Sequence, residues 1–136
     1  MSALTGKHVL VLGLGESGLA MARWCALRGA RVRVADSRAA PPGVEALKAD
    51  APLAEVFVGG FGHEVLDDVD LVALSPGLDP RVGVAAEARR RGLPIAGEMS
   101  LLAQALDELG VRAQTRILAI TGTNGKTTTT ALTAAL

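Results

Sequence analysis

The sequence is 136 residues long and 49% hydrophobic but only 2% aromatic; its fourteen basic and fourteen acidic side chains cancel to a formal charge of zero. That length suits one ordinary domain with the opening of a second, and its core must be built from Leu, Val, Ala and Ile, as in parallel strands buried on both faces. The charge balance gives no support to a nucleic-acid or anionic-membrane surface, and no apolar run approaches the ~20 residues of a membrane span.

In chain order, Met1–Lys7 has none of the features of a signal peptide and leads directly into a first strand at Val9–Leu12. A helical pattern over Glu16–Arg28 turns Leu19, Ala22, Ala26 and Leu27 towards the sheet and stops at Gly29. Val32–Ala35 is the second strand, reaching Asp36. After the Pro41-Pro42 loop come a short helix over Val44–Ala49 and a third, edge-like strand at Glu55–Val58. Leu71–Leu74 is the fourth strand and ends at Ser75-Pro-Gly77. Pro80–Arg91 reads as a helix with Pro in its first turn, and Arg89-Arg90-Arg91 as cations at its carbonyl end. Leu93–Ala96 is a fifth strand, Glu98–Leu109 an amphipathic helix, Arg116–Ile120 a sixth strand and Lys126–Leu136 a last helix. Strands alternating with helices at this spacing imply an α/β, Rossmann-like, doubly wound parallel sheet. The expected division is a domain over 1–97, then a linker helix and the start of a phosphate-loop domain over 98–136.

Two glycine-rich turns carry the chemistry. Gly13-x-Gly15-x-x-Gly18 lies between a strand and a helix. There, glycines allow a tight turn, close approach of backbone to a pyrophosphate and close helix packing. The helix N-terminus adds about half a positive charge. Asp36, 18 residues beyond Gly18, stands where a carboxylate can bond a ribose. Glycines serving only tight packing would leave the same pattern. Among ligands, this turn alone favours NAD. Against it stand the Glu16 carboxylate near the phosphate path, the Asp36-Ser37-Arg38 donor and cation pair, and the second turn, which asks for ATP.

That second turn is Thr121-Gly122-Thr123-Asn124-Gly125-Lys126-Thr127-Thr128. Gly125-Lys126-Thr127 matches the end of a phosphate loop, but Ile120 stands where the full pattern has its first glycine, so Gly122 supplies the flexible point. Backbone amides from Thr123 to Thr127 can wrap phosphates, Lys126 can reach the β- and γ-phosphates, and the Thr127 hydroxyl can ligate Mg²⁺.

Other candidates are weaker. His63-Glu64 begins a zinc-helix pattern, but Asp67 occupies the second histidine position, so a solvated loop is expected. Asp67, Asp68 and Asp70 read as turn and capping residues. Cys25 is the only cysteine, which excludes an intramolecular disulfide, fits a reducing cytoplasm and suggests packing rather than nucleophilic duty.

The phosphate loop Thr121–Thr127 resembles that of the Mur ligases, which form amide bonds in peptidoglycan precursors and folate polyglutamates. Gly6-Lys7, Gly13-Leu-Gly-Glu-Ser-Gly18, Asp36-Ser-Arg38, Pro41-Pro-Gly43 and Leu74-Ser-Pro-Gly77 are similar, in order and spacing, to the branch that adds D-glutamate to UDP-N-acetylmuramoyl-L-alanine. The resemblance implies that the first turn seats UDP rather than a dinucleotide. Gly13, Gly15, Glu16, Ser17 and Gly18 would lie beside it, Asp36, Ser37 and Arg38 at the uracil end, and Ser75, Pro76 and Gly77 in the same crevice. It implies ATP at Gly122, Thr123, Asn124, Gly125, Lys126, Thr127 and Thr128, Mg²⁺ at Thr127, and Lys126 as the catalytic cation. The implied reaction phosphorylates the alanyl carboxylate, and the amine of D-glutamate then attacks the acyl phosphate. The family's second magnesium ligand, carbamylated lysine and D-glutamate-binding domain would lie beyond Leu136. These 136 residues are therefore expected to bind UDP without catalysing, in the cytoplasm and with no obligate protein partner. The rivals are an NAD-dependent oxidoreductase, a non-catalytic nucleotide-binding module, and the L-alanine-adding branch, whose first turn carries an extra glycine pair absent here.

Overall fold

The computed structural model describes residues 2–136; Met1, at the head of the expected leader-free start, lies outside the described residues. Five strands form one parallel sheet in the order β3-β2-β1-β4-β5. They are β1 (His8–Leu12), β2 (Arg31–Asp36), β3 (Glu55–Val58), β4 (Leu71–Leu74) and β5 (Ile95–Gly97). The helices are α1 (Glu16–Leu27), α2 (Val44–Asp50), α3 (Gly83–Arg90), α4 (Glu98–Glu108) and α5 (Lys126–Ala134). This is the expected α/β class. β1 is central, pairing Val9 with Val32 on one side and with Leu71 on the other, and all five of its residues are buried.

Alternation along β1 divides the core. Val9 and Val11 join Met21, Ala22 and Cys25 of α1, Leu47 of α2 and Leu101 of α4. Leu10 and Leu12 face Val65, Leu66 and Ala88 on the opposite side. Leu, Val and Ala make up most of both layers, as the near-absence of aromatics requires. Cys25 has no exposed surface, and burial pushes its thiol up to about 11, so it serves packing.

Helix ends follow local chemistry. Gly29 adopts φ 80°, which lets Ala30 N donate to Cys25 O at 3.0 Å and Gly29 N to Ala26 O at 3.0 Å, closing α1. The same device, with Gly92 at φ 72°, ends α3. α3 starts later than the pattern predicts, at Gly83 instead of Pro80. The Asp79 carboxylate holds Arg81 N at 2.9 Å in a local turn, and Val82 is extended, so the helix begins only beyond them. The arginine run stands where expected, with Arg89 and Arg90 in the last turn of α3. Arg90 and Arg91 both bond Glu87, and Arg91 also reaches Asp67 at 3.3 Å, so their charge is spent on carboxylates. β5 is shifted two residues on from its expected start. His63–Leu66, read as a loop, is a 3₁₀ turn that buries Val65 and Leu66.

The expected sixth strand at Arg116–Ile120 is absent, and residues 115–125 form no regular element. A strand is stable only where a neighbouring ladder satisfies its amides, and no sixth position is added to the sheet. α5 forms but buries no residue. Residues 115–136 thus form a loop and a helix without a strand. α4, by contrast, is docked: Leu101 and Ala105 are buried, and Glu108 accepts from Ser2 Oγ at 2.9 Å and from Arg28 Nε at 3.0 Å. Among the described residues, no helix is long and apolar enough to cross a membrane.

Candidate functional site

The strand order reverses between β1 and β4, which leave the centre of the sheet for opposite flanks. Such a switch point opens a crevice at the carboxyl ends of the strands. Here its volume is about 890 Å³. Gly13, Gly15, Glu16, Ser17, Gly18, Asp36, Ser37, Arg38, Ser75, Pro76 and Gly77, all named from sequence, line this one space.

The first turn is built by backbone bonds and close packing. Gly13 sits at φ 87°, a conformation that favours glycine, and its N–H donates to Ala35 O at 2.9 Å. Ser75 Oγ donates to Gly13 O at 3.2 Å, so the end of β4 braces the turn. A Cβ on Gly18 would lie 1.8 Å from Gly13 O, which fixes glycine there for helix–turn packing. Gly15 is different. A Cβ there meets nothing within 4 Å, and its φ of −88° is ordinary. The fold does not need that glycine; an open backbone facing the crevice is what it supplies. α1 has no side-chain N-cap, so its first-turn amides have no competing side-chain acceptor, as a phosphate seat needs.

Asp36 is buried and its carboxylate is fully engaged. Leu14 N donates to Oδ2 at 2.7 Å and Arg38 N to Oδ1 at 2.9 Å. Arg38 adds a fork, Nε to Oδ1 at 2.9 Å and Nη2 to Oδ2 at 2.6 Å. These donors fill the roughly four acceptor positions of a carboxylate. The Arg38 guanidinium holds Asp36 well below the usual carboxylate range, against the opposing effect of burial, with the two backbone bonds adding to the depression. Asp36 therefore ties the first turn to the end of β2 and fixes Arg38, whose side chain remains 53% exposed at the crevice.

Sequence reasoning missed several parts of the wall. Gly59, Gly60 and Phe61 after β3, and Leu78, Asp79 and Val82 after β4, also face the crevice. The place of Gly59 beside Asp36 comes from Gly59 N donating to Asp36 O at 3.0 Å. Glu98 was missed altogether as a partner of Ser17, whose Oγ donates to Glu98 Oε2 at 2.8 Å. Nothing in a separation of 81 positions could have shown it.

The second turn stands apart, and none of residues 121–128 lines the crevice. Gly122 has φ 149° and Gly125 has φ 74°, a left-handed N-cap to α5. No side chain caps α5, leaving the first-turn amides of Lys126, Thr127 and Thr128 free of side-chain acceptors. Lys126 Nζ donates to Gly122 O and closes the loop on itself. This donor set, amides plus a lysine and exposed threonine hydroxyls, fits a polyphosphate with its magnesium ion. Among the described residues no group of three or more His, Cys, Asp or Glu could hold a metal, and Asp67, Asp68 and Asp70 are no exception. Asp70 instead accepts His8 N at 2.8 Å, and Asp68 takes a turn φ of 59°.

Comparison with known proteins agrees with this geometry. Residues 7–97 match the family model described as Mur ligase MurD-like, N-terminal domain. The whole chain is 85% identical to part of the UDP-N-acetylmuramoylalanine–D-glutamate ligase of Aromatoleum aromaticum, covering 29% of that protein. It is 55% identical to the enzyme of the same name from Cupriavidus pinatubonensis over 98% of this chain and 28% of that one. It thus spans less than a third of the length of the curated relatives it matches. Among solved structures, the UDP-N-acetylmuramate:L-alanyl-gamma-D-glutamyl-meso-diaminopimelate ligase of Neisseria meningitides superposes with a TM-score of 0.61 at 27% identity, over 96% of this chain and 39% of that one. With a family model covering two thirds of its length and a switch-point crevice lined as described, the chain belongs to the MurD-like branch of the Mur ligases.

Proposed function

We propose that the chain is the amino-terminal part of a cytoplasmic, ATP- and Mg²⁺-dependent ligase that joins D-glutamate to UDP-N-acetylmuramoyl-L-alanine in peptidoglycan synthesis. The observation that carries this reading is 85% identity, along its whole length, to a ligase of that name. In this reading the crevice takes the UDP moiety. Amides at Gly15, Glu16 and Ser17 meet the diphosphate, Gly15 keeps the approach open, Gly18 seats α1 against the turn, and Asp36 presents Ser37 and Arg38 to the uracil end. Ser75, Pro76 and Gly77 form the facing wall.

Residues 122–128 take ATP. When bound, magnesium with the triphosphate supplies the electrophilic phosphoryl group for the alanyl carboxylate. Lys126 leaves the Gly122 carbonyl and places its charge against the phosphates, a positioning and electrostatic task; Thr127 offers its hydroxyl to the metal. The boundary near Gly97 marks the end of the strands, with α4 docked back on the first unit, and these 136 residues bind UDP without completing the reaction.

A thermal-shift titration separates this reading from an oxidoreductase. UDP and UDP-N-acetylmuramoyl-L-alanine should raise the melting temperature in a concentration-dependent manner while NADH leaves it unchanged. Stabilisation by NADH with no response to UDP would defeat the proposal.

A further inference from the structure

We infer that Glu98 is a positioning residue for the crevice: its carboxylate competes with a bound diphosphate for the Ser17 hydroxyl, linking occupancy of the crevice to the start of α4. This inference rests on the sugar-nucleotide reading above.

Ser17 lies in the first turn of α1 and lines the crevice. Glu98 is the first residue of α4, on the far side of that turn, and faces a smaller hollow of about 220 Å³ between α1 and α4. The two meet through a half-buried hydrogen bond of 2.8 Å from Ser17 Oγ to Glu98 Oε2. It is the one side-chain hydrogen bond of Glu98 among the described residues. A serine hydroxyl has a single proton. While that proton is given to Glu98, only oxygen lone pairs remain, and these repel a phosphate oxygen.

A diphosphate settling on the first-turn amides of α1 is therefore one donor short until Ser17 turns away from Glu98. Two consequences follow together. The crevice binds diphosphate less tightly than its backbone cradle alone would allow, and binding releases the first turn of α4 from α1. α4 is the element that leads towards the second turn.

The test is calorimetric titration of the 136-residue chain with UDP at fixed ionic strength, with circular dichroism as a check on folding. Glu98→Ala should tighten UDP binding roughly ten- to a hundred-fold, the range of one hydrogen bond to a charged group. Glu98→Gln, which keeps the shape and a weaker acceptor, should give a smaller gain. Adding Ser17→Ala should erase the gain, whereas Ser17→Thr, which restores a hydroxyl, should keep it. A purely structural Glu98 would instead lose UDP affinity and melting temperature together on substitution. UDP binding that is unchanged or weakened in both Glu98 variants, or a gain that survives Ser17→Ala, overturns the inference while leaving the function proposed above intact. A wild-type chain that binds NADH and not UDP overturns both.

Discussion

Gly15 and Gly18 differ by three positions and serve opposite masters. A methyl group at Gly18 collides with the Gly13 carbonyl, so Gly18→Ala must push α1 away from the turn, at a cost of about 3 kcal/mol in a urea titration. A methyl at Gly15 meets only the open crevice, so Gly15→Ala should stay within about 1 kcal/mol of the parent in the same titration. It should nonetheless weaken UDP binding by roughly tenfold or more, because the backbone no longer admits the phosphates. Equal loss of stability in both variants would contradict this division.

Asp36 makes a prediction in pH. Its folded-state acidity is strengthened by Arg38, so the stability it contributes is present above the ordinary carboxylate range and lost as pH falls through its lower, folded value. Glu87, drawn down to about 2 by Arg90 and then Arg91, behaves in the same sense. The urea midpoint should therefore be insensitive to these two groups above about pH 5 and fall steadily below about pH 4. Asp36→Asn should lower stability at neutral pH by roughly 1–3 kcal/mol, with the gap from wild type closing as pH approaches 2. A gap that is constant with pH would mean that the carboxylate charge contributes nothing.

At the scale of elements, what could be read from sequence depended on whether the cause was local. β3 and β4 fall where their apolar runs lie, and α1 stops where Gly29 allows it, since composition and a positive φ act over a few residues. The late start of α3 is a competition between a proline that suits a first turn and an aspartate that captures Arg81; pattern alone favours the proline. Ile117 and Leu118 look like strand residues and are 66% and 73% exposed, because a strand is completed by its neighbour and none stands beside it. The candidate site divides along the same line. Its glycines and Asp36 were legible because the turn is contiguous with strands on either side. Phe61 and Leu78 were not, because only the assembled sheet brings them to the crevice, and Glu98 was not, because it reaches the site only through Ser17.

For the whole molecule, the energetic edge of the folded unit lies beyond Gly97. Leu101 is 3% exposed within the main core layer, and Glu108 ties the N-terminal segment to α1 through Arg28. α5 contributes no buried side chain. A chain ending at Thr115 should melt within about 2 °C of the full one, whereas one ending at Gly97 should melt roughly 10 °C or more lower, given what a buried leucine contributes. Indistinguishable melting of the two truncations would instead make residues up to Gly97 energetically complete.

The sheet's two outermost strands are four and three residues long, and Arg33 clamps the outer one, β3, through Glu55 at 2.6 Å. A rim so short exposes only a few unpaired amides and carbonyls, and a charged pair flanks one of them. Passing molecules find almost no template on which to lengthen the sheet sideways. Resistance to sideways, fibre-like growth follows from the brevity of these borders.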